Sequence, residues 1–237
     1  MRVIGLTGSI ACGKSTVSEA LQQVPDCHVI DGDALSRELT APGGPALPAI
    51  RDAFGDTVFL SDGSLNRKAL AQLVFADFRS RAQLDQLMAP FLEERTDLSL
   101  AAARESGAQL CFLDYPLLFE KCYDRLCDTV WCVWLPRDLQ LQRLMARDGL
   151  SQQEASARIN AVLSSEEKAA RSQVVIDNSG TPAYTLSLLP ALLEQERQKA
   201  TAPRRRRSAR HEAEEEASSP AVPVPASEAQ ASLASWQ

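Results

Sequence analysis

The chain has 237 residues, 45% apolar and 24% charged, which is material for one enlarged domain and excludes wholesale disorder or a disulfide-stapled miniature. Its 25 Lys and Arg against 31 Asp and Glu leave a net charge of −6, so there is no general footprint for nucleic acid and an anionic ligand must be held by local cations. The strongly apolar runs, such as 129–136, are far shorter than the roughly 20 residues that cross a bilayer, and the start lacks a leader pattern, so the expected address is cytoplasmic with no membrane partner.

Val3 to Thr7 reads as the first strand and runs directly into Gly8-Ser9-Ile10-Ala11-Cys12-Gly13-Lys14-Ser15, a match to G-x-x-x-x-G-K-[ST] in the required strand, loop, helix order. Gly8 and Gly13 let the backbone wrap a phosphate with its amides turned inward, and the following helix adds the positive end of its dipole. Lys14 would reach the β- and γ-phosphates, and the Ser15 hydroxyl would ligate Mg²⁺. The same cradle serves kinases, GTPases and motor ATPases, so the remainder of the chain must choose among them.

The second strand, Cys27 to Asp31, ends in Asp31-Gly32-Asp33 at the carboxyl edge, where open α/β sheets place ligands. Asp33 is suited to orient an alcohol and accept its proton; the alternative is a plain helix N-cap. Residues 35–107 read mainly as helix, punctuated by Pro42-Gly43-Gly44-Pro45, Asp62-Gly63 and Ala89-Pro90 and stopped by Gly107. That insertion is too long for a simple crossover and is expected to form a substrate lobe.

The third strand, Leu110 to Asp114, leaves Asp114 where phosphate-loop enzymes keep a Mg²⁺-organising acid. After the fourth, Thr129 to Leu135, come three helical segments, two opening with the capping boxes Ser151 to Glu154 and Ser164 to Glu167. In the first of them Arg143 and Arg147 share a face at i and i+4; they either clamp a phosphoryl group within a lid over 137–170 or form a solvated basic face. The fifth strand, Gln173 to Asp177, leads into Asn178-Ser179-Gly180, a turn able to approach a purine closely.

Five near-continuous apolar strands alternating with helices predict an α/β fold: a parallel sheet with helices on both faces. From residue 200 onward the chain is Ala-, Ser- and Pro-rich, with Arg204 to Arg207 and Arg210 balanced by Glu212 and Glu214 to Glu216, and is expected to be a disordered tail over 200–237. The six cysteines show no C-x-x-C pair, and no zinc site is legible. One speculative reading gives Cys12, among inward-facing amides at a helix start, a lowered pKa and sensitivity to oxidation.

In order along 1–199, Gly8 to Thr16, Asp31-Gly32-Asp33, Leu65 to Leu70, Pro116 to Glu120, Gln142 to Leu150 and Ile176 to Gly180 resemble the successive signatures of the dephospho-CoA kinases. The resemblance implies a phosphate-loop kinase core on a five-stranded parallel sheet, a helical acceptor lobe and a lid. It implies transfer from ATP, with Mg²⁺, to the ribose 3′-hydroxyl of dephospho-CoA, the last step of coenzyme A biosynthesis. On matched positions it assigns ATP binding to Gly8, Ala11, Cys12, Gly13, Lys14, Ser15, Thr16, Asn178 and Gly180, with the last two near the adenine. It also assigns the base to Asp33, phosphoryl stabilisation to Lys14, Arg143 and Arg147, acceptor contacts to Asp33, Arg67 and Leu117, and metal contacts to Ser15 and Asp114. The chain departs from the family's usual pattern with Ala89 where His is usual and Val162 where Gln is common. Rival readings are a kinase for another small alcohol or nucleoside monophosphate, and a nucleotide switch, although no N-K-x-D guanine signature occurs.

Overall fold

The computed structural model describes residues 1–201, apart from the side chains of residues 75 and 76; the expected disordered tail lies outside the described residues. Strands β1 (Arg2–Gly8), β2 (Cys27–Asp31), β3 (Leu110–Asp114), β4 (Thr129–Trp134) and β5 (Val174–Asp177) form one parallel sheet in the order β2-β3-β1-β4-β5. All five lie within a residue or two of the segments read from apolar runs. The order places β1 at the centre, so the loop that follows it opens where the chain crosses from one half of the sheet to the other.

Alternation along the strands feeds two cores. Ile4, Leu6, Leu110, Phe112, Trp131 and Val133 share one cluster with Val17 and Leu21 of α1 (Lys14–Gln22) and Leu189 and Leu193 of α10 (Leu189–Thr201). Val3, Cys111, Leu113 and Val130 share the other with Leu100 and Ala103 of α5 (Phe78–Glu105). Both faces of the sheet are therefore covered, which is why its strands carry no polar alternation.

The insertion after β2 folds as α2 (Gly32–Leu39), α3 (Leu47–Phe54), α4 (Arg67–Ala76) and α5, around its own core of Leu39, Ala46, Ile50, Val58, Leu70 and Met88. A short antiparallel bridge, Phe59 to Leu65, closes over the turn at Asp62-Gly63. One expectation fails here: Pro90 does not punctuate the helix, because α5 runs through it for 28 residues. Proline forfeits one intrahelical hydrogen bond, but Met88 before it packs in the insertion core, and Thr96 and Leu100 beyond it are buried, so packing overrides the local breaker.

Beyond β4 lie α6 (Arg137–Asp148) and α7 (Gln152–Asn160), held together by Leu144, Ala155 and Ile159, and α8 (Ser165–Arg171), which packs against β4 and β1. Both capping boxes form as read, at Ser151 with Glu154 and at Ser164 with Glu167. Helix α9 (Pro182–Ser187) then leads from β5 to α10.

Candidate functional site

The loop between β1 and α1 is shaped by two glycines for different reasons. A Cβ on Gly8 would lie 2.4 Å from the Cys12 sulfur and 2.8 Å from the Val133 carbonyl oxygen, so the position has no room for one. Gly13 sits at φ +90°, in the left-handed region, and a Cβ there would also fall 2.1 Å from the Asn178 side-chain nitrogen. Ala11, at φ 58°, completes the turn, and no side chain caps α1, leaving its first amides directed at the loop.

A cavity of about 390 Å³ opens over this loop, lined by Gly8 to Ser15, Asp33, Pro116, Leu117, Arg147, Val162 and Lys168. Lys14 reaches into it and pairs with Asp114, whose carboxylate is almost wholly buried at the end of β3. Thr16 donates its amide to the Gly13 carbonyl at 3.1 Å and begins the regular helix.

Asp33 is not the cap of its helix. Asp31 fills that role, its Oδ1 accepting from the amides of Asp33 at 2.8 Å and Ala34 at 3.0 Å, so the Asp33 carboxylate is left to face the cavity. The surrounding protein, by displacing water, pushes the Asp33 carboxyl above the usual carboxylate range; Lys14 opposes the rise and Asp31 adds to it.

The two arginines of α6 are placed differently from one another. Arg147 lines the cavity with its guanidinium turned to Asp148, at 2.7 and 3.2 Å. Arg143 approaches Gly13 from the side and donates to the Asn178 carbonyl at 3.0 Å. Asn178, expected beside an adenine, has its side chain buried under the phosphate loop: its Nδ2 donates to the Cys12 carbonyl at 2.7 Å and its Oδ1 accepts from Thr185 at 2.7 Å. Gly180 is exposed in the turn that follows. Arg67 lines a second cavity of about 230 Å³ in the helical insertion and donates to the carbonyls of Arg37 and Thr40, at 3.2 and 3.3 Å, near the end of α2.

Cys12 corrects the speculative reading. Its side chain is turned into the core and is 1% exposed, and burial pushes the thiol up rather than down. The Lys14 amide and ammonium favour the thiolate, but the loss of water around the buried sulfur outweighs them, so the case for an easily oxidised thiolate disappears.

Two residues of the site escaped the sequence. Gln140, 1% exposed on α6, donates through Nε2 to the Ser9 hydroxyl at 2.8 Å and the Ile10 carbonyl at 2.7 Å. Lys168 on α8 is fully buried; its Nζ donates to the Pro116 carbonyl at 2.6 Å and to Glu120 at 2.8–3.0 Å, while Glu120 also accepts from the Leu163 amide at 3.2 Å. The Pro116 carbonyl accepts from Thr7 as well, at 3.1 Å. Neither residue stands out in a one-dimensional pattern, since a Lys just after a capping box reads as part of an exposed helix face.

The Ser15 hydroxyl and the Asp114 carboxylate are hard oxygen donors of the kind Mg²⁺ takes. Among the described residues no group of three or more His, Cys, Asp or Glu side chains could hold a metal ion by itself. These two oxygen donors fit a divalent cation such as Mg²⁺. No helix among the described residues is long and apolar enough to cross a membrane.

The family model for dephospho-CoA kinase matches residues 2–183. A dephospho-CoA kinase of Geobacter sulfurreducens is 46% identical over 182 residues, covering 77% of this chain and 92% of the relative. One from Anaeromyxobacter dehalogenans is 47% identical over 182 residues, with 77% and 86% covered. The dephospho-CoA kinase structure from Campylobacter jejuni superposes with a TM-score of 0.64 at 25% identity, covering 84% of this chain and 99% of that one. A crystal structure of a Thermus thermophilus protein gives 0.70 at 34% identity, with 82% and 97% covered.

Proposed function

The chain belongs to the dephospho-CoA kinase family, and from that premise we propose a division of labour among its residues for the transfer of a phosphoryl group from ATP to dephospho-CoA. The reaction is the ATP-dependent phosphorylation that closes coenzyme A biosynthesis. The acceptor is the 3′-hydroxyl of the ribose.

The amides of Gly8 to Ser15 and the α1 dipole hold the β- and γ-phosphates. Lys14, which pairs with Asp114 beside the loop, would meet the phosphates, and Asp114 and Ser15 would be the oxygen donors that hold Mg²⁺. When bound there, Mg²⁺ would neutralise charge that develops on the phosphates. Asp33 orients the acceptor hydroxyl and takes its proton as the ribose oxygen bonds to the γ-phosphorus; the bond to the bridging oxygen breaks and ADP departs with the electron pair. Arg147 and Arg143 are within reach of the loop and stabilise the equatorial oxygens once Arg147 leaves Asp148. Leu117 walls the cavity, and Arg67 belongs to the acceptor side in the helical lobe over 35–107. Residues 137–170 form the lid.

The observation that carries this reading is the freedom of Asp33: with Asp31 as the cap, its carboxylate faces the same cavity as the phosphate loop. The test is ADP formation from Mg-ATP with dephospho-CoA, AMP or adenosine, with product mass determined. Coenzyme A formed from dephospho-CoA alone is the expected result. Equal turnover of AMP or adenosine would assign the site to another acceptor.

A further inference from the structure

Gly32 lies between the capping Asp31 and the proposed base Asp33, and its backbone needs no left-handed conformation. Its requirement is steric. A Cβ there would stand 2.2 Å from Cε1 and 2.4 Å from Cδ1 of Tyr115, so the ring of Tyr115 lies directly against the first turn of α2. Tyr115 follows β3, donates its amide to the Leu6 carbonyl at 3.1 Å, and is 6% exposed. The same ring stacks on that of Tyr123, with centroids 4.4 Å apart.

The hydroxyl of the same ring is also engaged. It lies 2.7 Å from the Thr96 hydroxyl within the protein, and Thr96 in turn donates to the Leu92 carbonyl at 2.6 Å. With the Thr96 hydrogen given to Leu92, Tyr115 is the donor in the pair. One side chain thus rises from the central sheet, bears on the backbone beside Asp33, and ties down α5, the long helix of the acceptor lobe.

We propose that Tyr115 is a positioning residue that sets the Asp33 carboxylate through its ring contact with Gly32 and fixes the acceptor lobe to the same point through its hydroxyl bond to Thr96. The proposal rests on the reading of Asp33 as the base. Its distinctive consequence is that Gly32 and Tyr115 act as a matched pair, so a defect made by shrinking one is relieved by enlarging the other.

Tyr115→Val opens a gap under α2, and misplacement of a reacting group by an ångström costs up to about 100-fold, so kcat is expected to fall by about 10- to 100-fold with affinity for a fluorescent ATP analogue unchanged. Adding Gly32→Ala to Tyr115→Val fills the gap and is expected to recover a large part of kcat, whereas Gly32→Ala alone lowers it. A Tyr115→Val enzyme with kcat near that of the parent, or a double variant no faster than Tyr115→Val, overturns the proposal. Should Tyr115→Val give no folded protein by circular dichroism, Tyr115→Phe and Thr96→Val replace it. Each is expected to raise the KM for dephospho-CoA, with no further rise in the double variant; unchanged KM values, or additive ones, overturn the proposal. Asp33→Asn measured alongside separates the premises: near-normal turnover there defeats the base assignment, while the Gly32 and Tyr115 cycle stands or falls on its own values.

Discussion

The phosphate end and the acceptor end of this molecule are built on opposite principles. Under the phosphate loop, buried polar side chains far away in sequence hold individual atoms of the loop: Asn178 the Cys12 carbonyl, Gln140 the Ile10 carbonyl and the Ser9 hydroxyl. The helical insertion, the proposed acceptor lobe, is held mainly by an apolar cluster, to which the Arg67 bonds to the Arg37 and Thr40 carbonyls and the Tyr115 bond to Thr96 add, with exposed ion pairs such as Arg95 to Glu38 and Arg51 to Asp56 on its surface. Directional contacts made in a low-dielectric setting fix positions closely, whereas apolar packing stabilises without specifying any single atom. The difference suits the tasks proposed for the two ends, since a phosphate held by amides would tolerate little displacement and a flexible acceptor would need a larger surface.

The contrast is sharpest at Asp33, on the boundary. Asp33→Asn is expected to lower kcat by about 10²- to 10⁴-fold, as removal of a general base does, with ATP affinity retained. Because the folded protein raises the Asp33 pKa, the acid limb of the kcat/KM profile should lie above the ordinary carboxylate range and disappear in the variant. The linkage has a definite sign. A carboxyl raised on folding binds its proton more tightly in the native state, so it costs stability as pH rises from the unfolded pKa through the folded one. Asp33→Asn should therefore leave the melting temperature at neutral pH unchanged or higher; a clear loss would show that Asp33 is structural.

At the phosphate end, Lys168→Met tests whether a buried cation holds α8 to the segment that follows β3. Removing one partner of a buried pair typically costs 3–5 kcal/mol, and because Glu120 keeps 20% of its side-chain surface exposed the lower end, about 3 kcal/mol, is expected. At ~2–4 °C per kcal/mol for a chain of this size, Tm should fall by about 6–12 °C. A fall of a degree or two would mean that Glu120 and the Pro116 carbonyl are readily solvated without it. Asn178→Ala is a smaller lesion of the same kind. It strands the Cys12 carbonyl, at a cost of about 1–3 kcal/mol, and should weaken ATP binding more than it lowers kcat at saturation.

These supports explain what the sequence made legible and what it did not. The phosphate loop and Asp31-Gly32-Asp33 are contiguous, and their chemistry follows from residue order, so the cradle and the carboxylates could be read directly. The five strands were legible because burial on both faces forces continuous apolar runs. Gln140 and Lys168 act across 130 or 52 residues of chain, and only the folded topology brings them under the loop. Pro90 misled for the opposite reason: a strong local signal was outweighed by packing along the rest of α5. Asn178 was found by its turn, but its side chain faces the loop beneath the phosphates.

The smallest effect belongs to the acceptor lobe's surface. Arg95 on α5 donates to Glu38 on α2 at 2.9 and 3.1 Å, but both side chains are more than a third exposed, so solvent and salt screen the pair. Arg95→Ala should cost only about 0.2–1 kcal/mol, less at high ionic strength, and leave kcat unchanged. If the lobe is held by its apolar core, that is all the pair contributes. A loss of several kcal/mol, or a rise in acceptor KM that salt does not diminish, would instead show that exposed ion pairs help to position the lobe, and the contrast between buried polar support at one end and mainly apolar packing at the other would fail.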